Sequence, residues 1–385
     1  MDRTSELALM DEIADLLARG TTAMAPDVGR VGAADLVGPE RTSAEQRLFT
    51  DRPLVVAPAA AIPRPGDFVA DEIVGIPLLV VRGDDGVARV LLNACRHRGN
   101  LVCQEPSGNR RVFSCEYHAW TYDRQGRCRS VVDRVGFAGL GEADTSLVAF
   151  PAEERHGLIW TRLAAGADLD VAAWLGPDLD AELAGYAPHA RHLYAGETTS
   201  FAFNWKFGVN TFQELFHLAF LHRKTLGSAF ISNVSAYRSY PLHQRLTVVR
   251  STFPEMAAGP REQRSLFPHC TLVYVLFPNT VFVWQLDHLE VWRFTPTPGD
   301  PGSCQVGLWL TTEQEPRTEG ARRHWQRNWD LTTATVYGED FATMANIQRT
   351  LASGALPEIV YGRNEIALQD YYRDIGEALR SADGA

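Results

Sequence analysis

The sequence lacks a long apolar run, internal repeats, low-complexity tracts and any excess of basic charge. Its longest uncharged stretch, Thr271 to Leu286, is broken by Pro278 and Asn279, so two buried strands joined by a turn are expected there and a membrane span is excluded. The opening residues carry Asp2, Arg3, Glu6, Asp11 and Glu12 where a secretory signal needs an apolar core. An amphipathic helix is expected instead, and a cytoplasmic location with it. A net charge of -10 repels nucleic acid and anionic membrane alike, which leaves small molecules and protein partners. Cysteine is scarce as well. Six in 385 residues make no disulfide scaffold, and clustered cysteines in an intracellular chain more often bind metal. Four of them, Cys95, Cys103, Cys115 and Cys128, fall within 34 residues, whereas Cys270 and Cys304 stand alone in strand-like segments and read as buried core.

What is present is apolar material for two cores: 45% hydrophobic residues in a chain longer than one core usually supports. From about Leu48 to Leu163 short strand-like runs such as PLVVAP, IPLLVV and ARVLLNAC alternate with Gly, Asp and Pro turns, the texture of a small antiparallel β domain. A stretch rich in Ala, Asp and Gly, 164–185, leads into a second region. Strand-like runs at Thr198–Phe203, Gln244–Thr252, Cys270–Leu276, Thr280–Gln285, Leu289–Thr295 and Gln305–Thr311 predict a larger antiparallel sheet there. Helices are expected over Asn204–Leu221 and Gly320–Leu351, the latter ended by Gly354 and Pro357. The fold class is thus α+β, divided as 1–47 (a helical segment packing on the larger domain), 48–163 and 164–385.

Two arms near the middle of the first domain each offer one thiolate and one imidazole: Cys95-Arg-His97 and, after seventeen intervening residues, Cys115-Glu-Tyr-His118. Two thiolates with two imidazoles suit either zinc or an iron-sulfur centre. In a Rieske [2Fe-2S] cluster two His replace two Cys on one iron, so each loop must send one Cys to one iron and one His to the other. The two arms supply that mixture, while zinc hairpins more often group like ligands on one arm. Gly99, Trp120 and the turn Asp123-Arg124-Gln125-Gly126 suit loops closing over a cluster. Cys95 to Tyr122 resembles the Rieske motif of the Rieske non-heme iron oxygenases, the ring-hydroxylating oxygenase α-subunit family. The resemblance implies a cluster held by Cys95, His97, Cys115 and His118, with Cys103 and Cys128 not ligating. Ala119 stands where the family usually has Gly. The additional loop cysteines of respiratory Rieske proteins are absent, which implies a lower-potential carrier.

A second motif runs Asn204-Trp-Lys through Glu214, His217 and His222. Glu214 and His217, three apart, share a helical face. His217 and His222, five apart, would point roughly 140° away from each other on an ideal helix, so a π-type bulge or a helix end must intervene if both are to face one metal. Taken alone, a core and a surface histidine would serve equally. The stretch resembles the catalytic motif of the same family, which implies that His217 and His222 ligate a mononuclear Fe(II). A carboxylate from the C-terminal helix, Asp340 with Glu339 as its rival, would complete a 2-His-1-carboxylate triad. The resemblance gives Glu214 a bridging role between His118 of a neighbouring subunit and His217; an intrachain salt bridge is the simpler alternative. Asn210-Thr211 departs from the family's usual Glu-Asn.

The resemblance implies a terminal oxygenase that hydroxylates, dihydroxylates or dealkylates a small organic substrate with O2. Electrons would come from a ferredoxin and/or flavin reductase, with NAD(P)H as the indirect donor and a homotrimer as the assembly. Phe207, Phe212, Phe216, Leu218, Phe220, Phe282 and Trp284 are candidates for an apolar pocket. An electron-transfer protein without mononuclear iron and a zinc-stabilised binding module are the competing classes. Neither substrate nor the choice between mono- and dioxygenation is legible.

Overall fold

A computed structural model describes residues 1–186, 191–285 and 287–383. Leu286, which closes the uncharged stretch, lies outside the described residues. The chain divides into two compact units, Phe49–Trp174 and Met1–Leu48 together with Leu175–Ala385. It is an α+β protein, and no described helix is long and apolar enough to cross a membrane.

The Phe49–Trp174 unit is built of short antiparallel sheets. Five strands pair in the order Ala149–Phe150, Ala88–Leu92, Ile76–Arg82, Asp67–Ile73 and Ser107–Asn109. A separate three-stranded sheet, Val112–Ser114 with Thr121–Asp123 and Cys128–Ser130, carries the second of the two cysteine-histidine arms on its hairpin. Phe68, Leu79, Leu91, Phe113, Trp120 and Tyr122 close one hydrophobic core that also takes in Cys95, Cys103 and Cys115. Burying each large side chain contributes about 2–3 kcal/mol, so the cysteines sit on a rigid floor.

In the other unit seven antiparallel strands form one sheet, ordered His192–Phe201, Asp300–Thr312, His288–Thr297, Thr280–Trp284, Cys270–Leu276, Gln244–Val249 and Tyr237–Ser239. Cys270 and Cys304 are buried strand residues, as their isolation suggested. Across the sheet lies a long helical run, Glu319–Thr335 and Phe341–Ala352, interrupted by a π-helical turn at Val336–Asp340. Tyr337 and Phe341 pack its inner face on Phe201 and Trp292. The first helix, Arg3–Ala18, buries Leu9, Met10, Ile13 and Leu16 at helical spacing. Strand Gly29–Gly32 then pairs with Glu358–Tyr361 near the C-terminus. Inside the same unit Glu45 is fully buried, where it accepts from the Lys206 ammonium at 2.7 Å and the Trp205 indole at 3.0 Å.

One expected element is much shorter than its sequence pattern. The helix predicted over Asn204–Leu221 spans only Trp205–Asn210. Its start is well specified, because the Asn204 side chain accepts from the Lys206 amide. Gly208 permits contact with the sheet: a Cβ there would lie 2.2 Å from the Phe294 ring. The end is set by buried amides. Asn210 donates to Gln213 and accepts from Tyr372, while Gln213 donates to Gln244, and side-chain bonds of this kind compete with the helical ladder. The chain then turns, and a 3₁₀ turn follows at Phe216–Ala219.

Candidate active site

The first cysteine-histidine arm leaves its strand through Asn93, whose side-chain oxygen accepts from the amides of Val102 and Cys103 and whose NH2 donates to the Cys103 carbonyl. One buried amide thus closes the loop carrying Cys95 and His97. Gly99 in this loop and Ala119 in the other adopt left-handed conformations, with φ of 76° and 54°. Ala119 therefore occupies a turn that favours glycine, at a cost of about 1–2 kcal/mol. The His97 and His118 rings lie 4.5 Å apart, and Trp120 stacks on His97 at 5.3 Å with Phe137 edge-on to both His97 and Trp120. His97 Nδ1 is buried with no protein partner, as a nitrogen reserved for a metal would be.

The sulfurs are prepared as well. Tyr122 Oη accepts the Arg96 amide at 3.1 Å and shares a hydrogen bond with Cys95 Sγ at 3.2 Å. Burial raises the Cys95 thiol pKa. Burial acts the same way on Cys115, but the amides of Tyr117 and His118 and the Asn100 side chain outweigh it and favour the thiolate. Among the described residues, the one group of donors close enough together to share a single ion lies elsewhere, in the other unit. A tetrahedral zinc would bring its four donors within about 4 Å of one another, so this arrangement suits a two-iron cluster better than zinc.

That single group is His217, His222 and Asp340, whose ligand atoms all fall within 4.8 Å of one another. His222 and Asp340 are buried and His217 is partly exposed. Asp340 Oδ1 stands 3.1 Å from His222 Nε2 and 3.6 Å from His217 Nε2. The opposite nitrogens are held by carboxylates. His217 Nδ1 bonds Glu214 Oε1, and His222 Nδ1 lies 2.6 Å from Glu339 Oε2, which also accepts from the Thr225 hydroxyl at 2.9 Å. A carboxylate at Nδ1 fixes the tautomer with its proton there and leaves the Nε2 lone pair free. Both imidazoles thus turn Nε2 toward one point beside a carboxylate, a donor set suited to a divalent iron. Burial raises the Asp340 pKa against the pull of His222 and His217. A buried carboxylate of this kind is one that a cation would stabilise.

Of the two devices that could bring His217 and His222 together, the helix end is the one found: the helix stops at Asn210, and the 3₁₀ turn and the turns after it place the two rings 5.0 Å apart. Glu214 starts this turn by accepting the amides of Phe216 and His217. The π turn lies at Val336–Asp340, where it lets Glu339 and Asp340 both reach His222, at opposite ring nitrogens. Glu339 thus meets the Nδ1 side of His222, while Asp340 faces the Nε2 atoms of both histidines.

Beside the three donors opens a cavity of about 410 Å³. Of the seven proposed pocket residues only Phe212 and Leu218 line it. Phe207, Phe282 and Trp284 are core, and Phe216 and Phe220 are surface residues, 50% and 68% exposed. The cavity floor is one face of the sheet, with Val248, Val273 and Val283 beside Arg250, Thr271 and Gln285. Its wall carries a paired cluster. Asp287 bonds His288 at 2.9 Å and His324 at 3.0 Å, and the buried Glu290 accepts from Thr332 and Trp292 and faces His288. Burial alone would lower the His288 pKa, but these carboxylates lift it to about 9. Tyr122, Asn93, Arg250 and the Asp287–Glu290 cluster had no spacing signal and were missed by sequence reasoning.

Residues 181–381 match the family model for the ring hydroxylating alpha subunit (catalytic domain), and residues 52–137 match the Rieske [2Fe-2S] domain. The chain belongs to the ring-hydroxylating α-subunit family. As an α-subunit of this kind it carries a Rieske [2Fe-2S] domain and a mononuclear-iron catalytic domain. It is 33% identical over 201 residues to the N,N-dimethyl phenylurea N-demethylase subunit alpha of Sphingobium sp. (strain YBL2), covering 48% of this chain and 42% of that one. To the biphenyl 2,3-dioxygenase subunit alpha of Rhodococcus jostii (strain RHA1) it is 32% identical over 185 residues, 45% of this chain and 38% of the other. The matched segment thus spans about two fifths of these curated relatives. The α-subunit also shares its fold with naphthalene 1,2-dioxygenase from Rhodococcus sp. (TM-score 0.75, 20% identity, 98% of this chain and 99% of that one). A quaternary ammonium Rieske monooxygenase in complex with L-carnitine superposes similarly (TM-score 0.75, 19% identity, 91% and 96%).

Proposed function

We propose that this α-subunit is a terminal oxygenase acting on a small organic substrate held in the 410 Å³ cavity, a volume typical of small-molecule sites. The observation that carries the reading is the convergence of His217, His222 and Asp340 on one point at the edge of that cavity. In this reading those three hold the mononuclear iron, Cys95 and Cys115 hold one iron of the cluster, and His97 and His118 hold the other. When bound, the cluster supplies single electrons and the mononuclear iron supplies the centre at which O2 is reduced. The chain's own residues orient the parts. Glu214 and Glu339 retain the Nδ1 protons of the two histidines, and Phe212, Leu218 and the valine floor exclude water from the substrate.

Glu214 is the proposed link to His118 of a neighbouring copy in a homotrimer. Its bond to His217 supplies one half of that bridge. Phe216 and Phe220, an exposed edge-to-face pair 5.6 Å apart beside it, give another copy an apolar surface to cover. A ferredoxin and/or flavin reductase drawing on NAD(P)H is the proposed donor, and the cytoplasm the proposed location. His217→Ala and Asp340→Ala are expected to abolish substrate-dependent O2 uptake, lower iron from about three to about two per chain and keep the cluster's visible spectrum. Full activity in both variants would sink the proposal.

A further inference from the structure

The cavity holds one charged group that its surroundings leave unmatched. Arg250 follows strand Gln244–Val249 and lines the cavity floor. Its Nη2 donates to Thr271 Oγ1 and Gln285 Oε1, both at 3.3 Å, and its guanidinium lies over the Phe230 ring at 5.0 Å. All three neighbours are neutral. Its Nε is buried and has no partner. Among the described residues no carboxylate stands within ion-pair distance of it. The other charges of the cavity wall are paired among themselves: Asp287 with His288 and His324, and Glu290 with His288. Burial without a paired counter-ion depresses the Arg250 pKa, although the negative charge of Asp287 partly opposes this.

A half-buried guanidinium that faces no carboxylate has lost part of its hydration without a counter-ion, a loss that an anionic ligand would offset. The fork geometry of Arg suits a planar carboxylate, which it binds through two parallel N–H···O bonds. The sheet presents this fork beside apolar surface. Val248, Val273 and Val283 share the cavity floor with Arg250, Thr271 and Gln285, so the floor offers a hydrocarbon wall and a cationic pole together. We propose that the substrate is an apolar carboxylate, its hydrocarbon or aromatic body resting on the valines and its carboxylate paired with Arg250. This inference rests on the cavity being the oxygenase's substrate site.

The test is calorimetric titration of the holoprotein with benzoate, phenylacetate and octanoate, each against its uncharged methyl ester, in wild type, Arg250→Gln and Arg250→Lys. At least one acid is expected to bind tenfold or more tightly than its ester in wild type. Arg250→Gln should erase that preference and leave ester affinity within twofold, and Arg250→Lys should retain part of it. The inference is overturned if no acid outbinds its ester, or if Arg250→Gln keeps the preference. Should Arg250→Gln fail to fold, as judged by its cluster spectrum and melting curve, the wild-type and Arg250→Lys titrations decide. Binding requires no turnover, so the two readings fail separately. Acid preference with no substrate-stimulated O2 uptake in the presence of a reductase removes the oxygenase and leaves the carboxylate site. O2 uptake driven by the esters with no acid preference does the reverse.

Discussion

The two candidate metal centres draw on the chain in different ways. Cys95, His97, Cys115 and His118 occupy two short loops in one small β unit, oriented by neighbours such as Asn93, Asn100 and Tyr122. The catalytic centre gathers His217 and His222 from irregular turns and Asp340 from a π turn in a distant helix; His222 and its supporting Glu339 are 117 positions apart. A loop site of the first kind depends on local turn chemistry, so its sequence must spell it out. The second depends on how a helix lies across a sheet, and is exposed to any change that shifts that packing.

The sharpest way to break this comparison is to disturb packing far from either set of ligands. Lys206→Met removes one of the two cations held by the fully buried Glu45, leaving it Arg41 at 3.0 Å and the Trp205 indole, at a cost of about 1.5–3 kcal/mol. If the comparison holds, mononuclear iron is lost at lower urea than in wild type while the cluster's visible absorption persists; simultaneous loss of both would contradict it. The acid cluster on the cavity wall gives a pH-dependent version. The His288 pKa is raised from 6.5 to about 9, so its contribution is complete below pH 6.5 and disappears as pH rises toward 9. That shift corresponds to about 3 kcal/mol. The melting temperature should fall over this window in wild type and be flatter in His288→Gln.

Supporting residues should separate the two sites next. Glu339→Gln keeps the size of the side chain but weakens the hold on His222 Nδ1, and should weaken iron binding about 10–100-fold with the cluster spectrum unchanged. Retained iron affinity would mean that Glu339 is only a solvated neighbour. The smallest effect belongs to the loop site. Ala119→Gly relieves a left-handed alanine but adds freedom to the unfolded chain, for a net gain of about 1 kcal/mol or less by chemical denaturation.

The cluster loops were readable because their ligands sit within a few residues of one another and their spacing follows from how two irons share four donors. The strand pattern was readable for a related reason, since short β-branched and aromatic runs and the Pro278-Asn279 turn are local. The helix after Asn204 was overread. Its apolar periodicity continues to Leu221, but Asn210 and Gln213 make buried bonds to Tyr372 and Gln244, residues no local window contains. The π turn at Val336–Asp340 was hidden for the same reason, because nothing in Val-Tyr-Gly-Glu-Asp marks a change of helical pitch.

By itself, then, the sequence determined the α+β class, the two cysteine-histidine arms, and a short set of histidines and carboxylates from which a catalytic centre could be drawn. Only the tertiary structure decided which acid faces which ring nitrogen: Asp340 at both Nε2 atoms, Glu214 and Glu339 at the Nδ1 atoms. It also decided that Arg250 lines the cavity with no carboxylate at ion-pair distance among the described residues. Spacing along a chain fixes direction only within one regular element, whereas these contacts join residues whose relative orientation is set by the packing of helix on sheet.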